Sequence, residues 1–342
     1  MILTRSPYYI NAPLSTSFIS GVNLKLIVNE TIEDSSLAGA DYEVLKNRAN
    51  ISVSYLDFEI SNLVRDKFEY TPIFKANTGL YDSNPGNILS LNYQVDYIGS
   101  NDDYNSTRNI VLDGYGYSLE GINPTIPANK ILLANDFYIV NKLGFFNIPV
   151  LNDGTNQHIY VNGQAYPVTQ SNSIPSKIKN MVLNLSEFDD KIRISFGGNI
   201  INLEVVEECK YVPKDVIFLN KYGAWEIMTF FKATTESINI SKSTFKNNVV
   251  ANGAYNPNKH TYQDFNKNGR EKIKLNSGFV PEPYNETIRQ LLLSQHVFLL
   301  NNGNHIPLNI DTTSYQYKTR IQDKLINHEI DFQYGFDLIN NL

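Results

Sequence analysis

The chain contains a single cysteine among 342 residues, so no disulfide can form within one copy. Core burial and hydrogen bonds must therefore stabilise the fold, and Cys209 gives no sign of an oxidising compartment. Charged residues are also scarce, at 19%, and the formal net charge is -6 without any run of basic residues. Because nucleic-acid binding depends on clustered lysine and arginine, the composition argues against nucleic acid as a partner.

Long hydrophobic runs are missing as well. No stretch approaches the roughly 18 consecutive apolar residues of a transmembrane helix. Near the start of the chain, Pro7, Asn11 and Pro13 interrupt any apolar run long enough for a secretory signal peptide. The sequence therefore predicts a soluble protein that is neither exported by a signal peptide nor bound to a membrane.

What is present is typical of a folded, mainly β protein. Hydrophobic residues make up 42% of the chain and aromatic residues 12%, which excludes disordered and coiled-coil chains. Apolar and polar residues alternate in segments 22–28 and 89–97, and shorter runs of the same kind follow along the chain. We expect two β-sandwich-like or barrel-like domains made of short antiparallel strands, with one or two short helices.

Turn and helix signals refine this expectation. Pairs of residues that tolerate positive φ separate several strand-like runs, and they are Asp153-Gly154, Asn162-Gly163, Gly197-Gly198 and Asn302-Gly303. The pair at 197–198 predicts an antiparallel hairpin between segments 192–196 and 200–206. Asn285 is a suitable N-cap for a short helix near 286–295, and apolar spacing predicts a second short helix within 60–68.

The domain organisation is predicted from breaks in these patterns. Segment 207–214 interrupts the apolar runs, so we place a first domain at 15–210 and a second at 211–342. Residues 1–14 contain two prolines and no periodicity, which predicts an extended arm that reaches a neighbouring subunit. The only tryptophan, Trp225, is the candidate packing anchor of the second domain.

No motif with a strong catalytic mechanism occurs. The sequence lacks a phosphate-binding loop, a zinc-protease motif, a nucleophile elbow, a paired-cysteine motif and a dinucleotide-binding glycine pattern. Glycoside hydrolysis needs two carboxylates across a cleft, and spacing alone cannot pair Glu204 with Glu226. Strand alternation places Glu204 on a solvent face. We therefore predict a protein that is not an enzyme and that needs no cofactor.

One segment resembles the first half of a calcium-binding loop. Asp264, Asn266 and Asn268 supply oxygen atoms at alternate positions, and Gly269 follows them. The second half of the pattern fails, because Leu275 occupies the position where calcium loops carry a bidentate glutamate. The alternative is a plain loop rich in asparagine and glycine, and we expect no metal.

Five segments spread over both halves of the chain carry a resemblance when taken together. They are TRSPYYI (4–10), DFEISNLVRD (57–66), LNKYGAWE (219–226), YKTR (317–320) and DKLI (323–326). Together they resemble virion structural proteins, associated with the tail or baseplate, of tailed bacteriophages that infect Bacteroidetes. The resemblance implies a protein made in the cytoplasm of a host bacterium and located in the virion.

The resemblance also implies how such a protein works. It would form homo-oligomers and dock other virion proteins by burying interfaces, with Pro7, Tyr8, Tyr9 and Ile10 as the candidate assembly residues. One alternative is a β-sandwich at a fibre tip or capsid surface that binds a host receptor or surface glycan. A second alternative is a hydrolase that acts on cell-surface polymers.

Overall fold

The structure is a computed structural model. The structure describes residues 1–15, 17–29, 39–73, 75–100, 103–105, 108–152, 157–169, 174–251, 253–301, 303–316 and 325–340. The predicted turn at 153–154 and the sequence segments 317–320 and 323–324 lie outside the described residues, as does Asn302.

The described residues are mainly β. Sixteen strands precede the predicted domain boundary, and they are β1 (Ile2–Leu3), β2 (Tyr9–Pro13), β3 (Gly21–Asn29), β4 (Tyr42–Asn47), β5 (Tyr55–Glu59), β6 (Gly79–Asp82), β7 (Leu89–Ile98), β8 (Tyr104–Asn105), β9 (Asn109–Leu112), β10 (Phe137–Asn141), β11 (Phe145–Leu151), β12 (Gln157–Val161), β13 (Gln164–Val168), β14 (Ile178–Asn184), β15 (Lys191–Phe196) and β16 (Asn199–Val206). The later strands are β17 (Lys214–Leu219), β18 (Trp225–Phe230), β19 (Thr235–Lys246), β20 (Val250–Ala251), β21 (Ala254–Tyr255), β22 (Tyr262–Pro281), β23 (Val297–Asn301), β24 (Asn304–Ile310) and β25 (Leu325–Tyr334).

The helices are few and short, as predicted. They are α1 (Ser61–Arg65) and α2 (Tyr284–Leu293), and single 3-10 turns occupy Ser118–Glu120, Pro175–Lys177 and Leu185–Glu187. The apolar spacing that predicts α1 works through burial, since Ile60 and Val64 are each only 1% exposed. Helix α2 begins two residues before the predicted segment, at Tyr284.

The chain divides into two compact units. The first unit contains residues 1–207, 217–228 and 286–294, and the second contains 208–216, 229–285 and 295–342. The first change between units therefore falls between Glu207 and Glu208, within the predicted break. The prediction of one continuous second domain from 211 onward is wrong, because two later segments return to the first unit.

Three sheets and a two-stranded ribbon make up most of the first unit. Their strand orders are β1-β9-β7-β3-β4 with β8 on β7, β10-β16-β15-β12-β13, β11-β14-β6, and β2-β5. Most pairs are antiparallel, as predicted, but β1 runs parallel to β9 and β10 runs parallel to β16. Among the described residues no sheet closes into a barrel.

The hairpin predictions at two glycine-containing turns are confirmed. Strands β15 and β16 pair with Phe196 opposite Asn199, and Gly197 and Gly198 between them both have positive φ, at 53° and 82°. Strands β12 and β13 are joined in the same way through Asn162 and Gly163. Two successive positive φ angles match the right-handed twist of the flanking strands, which is why these residue pairs specify the turn.

The prediction that residues 1–14 form an arm outside the core is wrong. Ile2 and Leu3 are each 1% exposed, and Ile10 and Ala12 of β2 are 5% and 1% exposed. Strand β2 pairs with β5, where Ile10 lies opposite the buried Phe58. Burial alternates only within the five residues of β2, and the strands that bury the segment are distant in sequence.

The second unit has a five-stranded arrangement in the order β23-β24-β25-β22-β19, and a separate short pair, β20-β21. Strands β17 and β18 each cross the division between the units along the chain. Two strands are much longer than the predicted short strands: β19 has 12 residues and β22 has 20. The buried face of β22 includes Ile273 and Leu275.

The burial pattern of β2 predicts a sharp contrast between neighbouring substitutions. We expect Ile10→Ala to lower the free energy of unfolding of the first unit by about 2–5 kcal/mol, because it opens a cavity in the core. Tyr9→Ala, one residue away on the exposed face, should change it by less than about 0.5 kcal/mol. Urea unfolding followed by the fluorescence of Trp225 measures both, and equal effects would contradict the placement of β2 in the core.

Candidate functional site

Three of the segments that carry the resemblance lie in the first unit and contact one another or the same neighbours. Segments 4–10 and 57–66 are joined through Ser61, whose Oγ accepts a hydrogen bond from the Tyr8 amide at 2.8 Å. The same hydroxyl donates to the Ser6 carbonyl at 2.8 Å. The start of the chain is therefore attached to the N-terminus of α1 by a buried serine.

A buried carboxylate attaches the same region to the end of β9. Asp113, whose side chain is 2% exposed, accepts hydrogen bonds from Thr4 Oγ1 at 2.9 Å and Tyr70 OH at 3.1 Å. Its Oδ1 also forms an ion pair with Arg65 Nε at 3.0 Å. Burial, with the adjacent Asp113 carboxylate, raises the pKa of Tyr70 to about 12. The hydroxyl therefore stays protonated and acts as a donor.

The third segment, 219–226, lies against the residues around Asp113, and the two backbones are in direct contact. A Cβ at Gly114 would lie 2.5 Å from the Lys221 carbonyl oxygen, which also accepts a hydrogen bond from the Tyr115 amide at 2.8 Å. Gly223 has a φ of +73°, and a Cβ there would lie 2.8 Å from the Asp113 nitrogen. Only glycine allows this approach, which explains its presence at both positions.

Asn220 organises this turn from inside the unit. Its side chain is fully buried, and Nδ2 donates to the Leu132 carbonyl at 2.7 Å and to Glu226 Oε2 at 2.8 Å. Its Oδ1 accepts from the Tyr222 amide at 3.0 Å and from the Ala224 amide at 3.2 Å. The turn between β17 and β18 is therefore shaped by one side chain that uses all of its hydrogen-bonding groups.

Glu226 is equally buried, at 0% exposure. Its oxygens accept hydrogen bonds from Asn220, from Tyr138 OH at 2.8 Å and from the Ala134 amide at 3.1 Å. Burial raises the pKa of Glu226 to about 7, although these three donors oppose the shift. Glu204 lies exposed on β16, as strand alternation predicts. The two carboxylates have separate, structural environments.

On the surface above this framework lies an open cleft of about 590 Å³. We call it the Tyr117 cleft. Its lining comprises Arg5, Ser6, Pro7, Tyr8, Tyr9, Gly116, Tyr117, Ser118, Gly121, Ile122 and Asn123. Three apolar side chains in and beside it are exposed to water: Tyr9 at 59%, Leu119 at 100% and Ile122 at 74%.

The wall of the cleft is built around Tyr117. Lys221 Nζ lies 4.4 Å and Arg289 Cζ lies 3.9 Å from the centre of its ring, so the ring has two cation–π contacts. The phenol hydroxyl donates to Glu286 Oε1 at 2.6 Å. Burial, together with that hydrogen bond, raises the pKa of Tyr117 well above its ordinary value. Tyr117 is therefore a fixed, protonated aromatic surface.

The cations around the cleft also have acidic or carbonyl partners. Lys221 Nζ lies 2.6 Å from Glu120 Oε1. The Arg5 guanidinium lies 4.8 Å from the centre of the Tyr115 ring and donates to the Leu293 carbonyl at 2.9 Å. Arrangements of this kind hold side chains still and favour recognition by shape and apolar contact.

The candidate assembly residues divide between surface and core. Pro7, Tyr8 and Tyr9 line the Tyr117 cleft, whereas Ile10 is buried and packs into the first unit.

The assignment of Trp225 as an anchor of the second domain is wrong. Trp225 is 3% exposed, belongs to the first unit, and its carbonyl accepts a hydrogen bond from Asn147 Nδ2 at 3.1 Å.

The calcium-loop candidate is a strand rather than a loop. Asp264, Asn266 and Asn268 lie in β22, and the positive φ of Asn266, 49°, coincides with a register shift opposite Ser241–Ser243 of β19. Asp264 accepts hydrogen bonds from Lys267 and Lys242, which hold its pKa well below the usual range. The oxygen pattern that imitates a calcium loop is therefore a β-bulge with an ion-paired carboxylate.

Sequence reasoning missed most of the cleft wall. Tyr117, Lys221 and Arg289 come from three distant segments, and no local spacing relates them. The available signal was the pair Tyr115 and Tyr117 beside two glycines, because glycine in such a position marks close backbone approach. Their partners depend on the tertiary fold.

Comparison of the chain with models of protein families, with curated proteins and with solved structures finds no match. In the described part of the chain, no group of three histidine, cysteine, aspartate or glutamate side chains is placed to hold a metal ion. The helices described in the structure are too short or too polar to cross a membrane.

The raised pKa of Glu226 predicts a pH-dependent stability. Between pH 4.5 and about 7 the folded state retains a proton that the unfolded chain has released, so stability falls as the pH rises through this window. The expected contribution is roughly 3 kcal/mol. Glu226→Gln should remove it, and urea titrations followed by Trp225 fluorescence across this range measure the difference.

The parent protein is the control for this comparison. Asp215 in the second unit has a raised pKa of about 6 and His328 a lowered one of about 4, and both remain in the variant. Only the difference between the two proteins reports on Glu226. Parallel pH profiles would show that the Glu226 carboxyl does not change its protonation between the folded and unfolded states.

Proposed function

We propose that the protein is a non-enzymatic structural protein of a tailed-bacteriophage virion, a tail or baseplate component that self-associates and docks other virion proteins. The observation that carries this proposal is the exposed apolar rim of the Tyr117 cleft, formed by Tyr9, Leu119 and Ile122. Leu119 is 100% exposed. Large apolar side chains grouped at a concave surface are typical of interfaces, where their burial supplies the binding free energy.

The rim is presented on a short, well-supported element. Ser118–Glu120 forms a 3-10 turn, and the Glu120 side chain accepts a hydrogen bond from the Tyr117 amide at 3.1 Å. Lys221 Nζ lies 2.6 Å from the other oxygen of the same carboxylate, Oε1. Because these residues are already ordered, docking against the rim loses little conformational entropy.

The virion part of the proposal is supported by the resemblance of the sequence segments. Segment 4–10 lines the cleft, 57–66 supports it from below through Ser61, and 219–226 supplies Lys221 to its wall. A family resemblance that coincides with one surface supports a shared role for that surface. The acidic groups of the cleft wall, Glu120 and Glu286, are engaged by Lys221 and Tyr117, which favours docking over acid–base chemistry.

The proposal predicts that the rim is required for incorporation into particles. We expect a tagged chain supplied during infection by the phage that encodes it to co-purify with banded particles. The triple variant Tyr9→Ser, Leu119→Ser, Ile122→Ser should be incorporated about tenfold less or weaker, because three exposed apolar anchors are lost. Quantitative immunoblotting of the particles measures the difference.

A matched control uses equally exposed apolar residues elsewhere in the first unit. Phe18, Ile51 and Leu143 are 81%, 70% and 77% exposed, and the triple serine variant of these residues should be incorporated like the parent. Both variants should keep the parent's unfolding transition. Absence of the parent chain from particles, or equal loss in both variants, would contradict the proposal.

A second candidate function is binding of a host-surface glycan in the same cleft. The observation that favours it is the aromatic lining of Tyr8, Tyr9 and Tyr117 in an open cleft of about 590 Å³, since rigid aromatic faces suit flat sugar surfaces. Calorimetric titration of the purified chain with polysaccharide from the host surface tests it. Saturable binding that Tyr9→Ala weakens would favour this candidate, and no heat of binding would count against it.

A further inference from the structure

Strand β19 of the second unit is exposed along its entire length. All twelve residues of Thr235–Lys246 are exposed, and the strand pairs with β22 along one edge with a register shift between Ser241 and Ser243. It is the last strand in the order of its sheet, so no described strand pairs with its other edge. A long strand with an open edge offers a row of backbone donors and acceptors to a further strand.

One face of β19 carries apolar side chains at its centre. Ile238 and Ile240 point to the same side, because they are two residues apart on a strand, and they are 50% and 64% exposed. Gly269 lies opposite Ile240 on β22, and the Ile238 and Leu338 side chains lie over this glycine. Leu338 is itself 45% exposed, so the apolar face extends across the ribbon.

The two ends of the same face carry opposite charge. At one end, Glu236 lies two residues before Ile238, and Glu271 lies opposite Ile238 on β22. At the other end, Lys242 and Lys267 share a single carboxylate, Asp264, at 3.0 Å and 2.8 Å. The first end is therefore net negative and the second net positive, with isoleucines between them.

We propose that β19 pairs with β19 of a second copy of this chain, antiparallel, about a two-fold axis at Asn239. In this register Glu236 lies opposite Lys242 of the second copy, and Ile238 lies opposite Ile240. Each of these pairs occurs twice, and Ser237 and Ser241 match in the same way on the other face. The negative end of each strand then meets the positive end of its mate.

This register is specific because neighbouring positions of the two-fold axis do not align both the charges and the isoleucines. An axis at residue 238 or 240 places Glu236 opposite Ile240 or Thr244. An axis at residue 241 restores an acidic–basic pair with Lys246, but it places Ile240 opposite Lys242. Only the axis at Asn239 aligns both the charges and the isoleucines. Opposite charges and branched apolar side chains directly across an antiparallel pair are each stabilising.

The pairing specifies the surface for the self-association in the proposed function, and it rests on that part of the proposal alone. Its residues are all in the second unit, whereas the Tyr117 cleft is in the first. The two surfaces can therefore be changed independently. Paired edges would also remove the aggregation hazard of an open strand.

Cysteine cross-linking tests the register directly. In a Cys209→Ser background, Asn239→Cys places one cysteine on the two-fold axis, next to its own copy. Ser237→Cys is the matched control, because residue 237 is also exposed, lies on the same face of β19 as residue 239 and faces residue 241 of the mate. We expect a short bis-maleimide to cross-link Asn239→Cys at least about tenfold faster than Ser237→Cys, as fits the distances across and along paired strands.

Native mass measurement with charge reversal provides the second test. The parent should be dimeric at micromolar concentration, and Glu236→Lys should weaken the dimer about tenfold by placing like charges opposite each other twice. Adding Lys242→Glu to that variant should restore it.

The outcomes separate this inference from the proposed function. A monomeric parent, or equal cross-linking at positions 237 and 239, would overturn the β19 pairing. Particle incorporation that fails only in the Tyr9, Leu119 and Ile122 variant concerns the cleft and leaves the pairing in place. Loss of dimer in Glu236→Lys without rescue by Lys242→Glu would also overturn the proposed register.

Discussion

The first unit depends on the hydrogen bonds of one buried side chain, Asn220. Its Nδ2 donates hydrogen bonds to Glu226 and to the Leu132 carbonyl, and its Oδ1 accepts hydrogen bonds within the turn that follows β17. That turn brings the Lys221 carbonyl against Gly114 at a distance that no side chain would permit. Because buried polar groups without partners are costly, the arrangement admits few alternatives.

The cleft surface follows from that constraint. Once the turn is in place, Lys221 extends to Glu120 and to the ring of Tyr117, and Arg289 also lies against that ring. The side chains of Lys221 and Arg289 therefore hold the ring of Tyr117 in place. The large apolar side chains exposed to water at this site are Tyr9, Leu119 and Ile122, and exposed apolar side chains beside an ordered aromatic ring are a feature of protein interfaces.

Much of the secondary structure could be predicted because the signals are local. Alternating burial marks β3 and β16, and the pairs Asn162-Gly163 and Gly197-Gly198 determine two hairpins through backbone conformation. The burial of residues 1–14 could not be predicted, for the opposite reason. Strand β1 has only two residues and runs parallel to β9, so its burial depends on a partner about 110 positions away. No local period can reveal such a pairing.

The candidate site was predictable only in part. Pro7, Tyr8 and Tyr9 line the cleft, but Tyr117 and Arg289 were not singled out, since their roles come from contacts across the fold. The resemblance of 264–269 to a calcium-binding loop did not predict its structure, for a related reason. The same oxygen-rich residues can form a loop or a bulged strand, and pairing with β19 decides for the strand.

The amino-acid sequence by itself determined a mainly β chain without disulfides, its short helices and its glycine-dependent hairpins, because each follows from periodicity or from backbone φ angles within a few residues. Tertiary structure alone decided that the first residues join the core, that Trp225 belongs to the first unit, and which apolar side chains stay exposed. These outcomes depend on burial, and burial is set by contacts between segments that the sequence holds far apart.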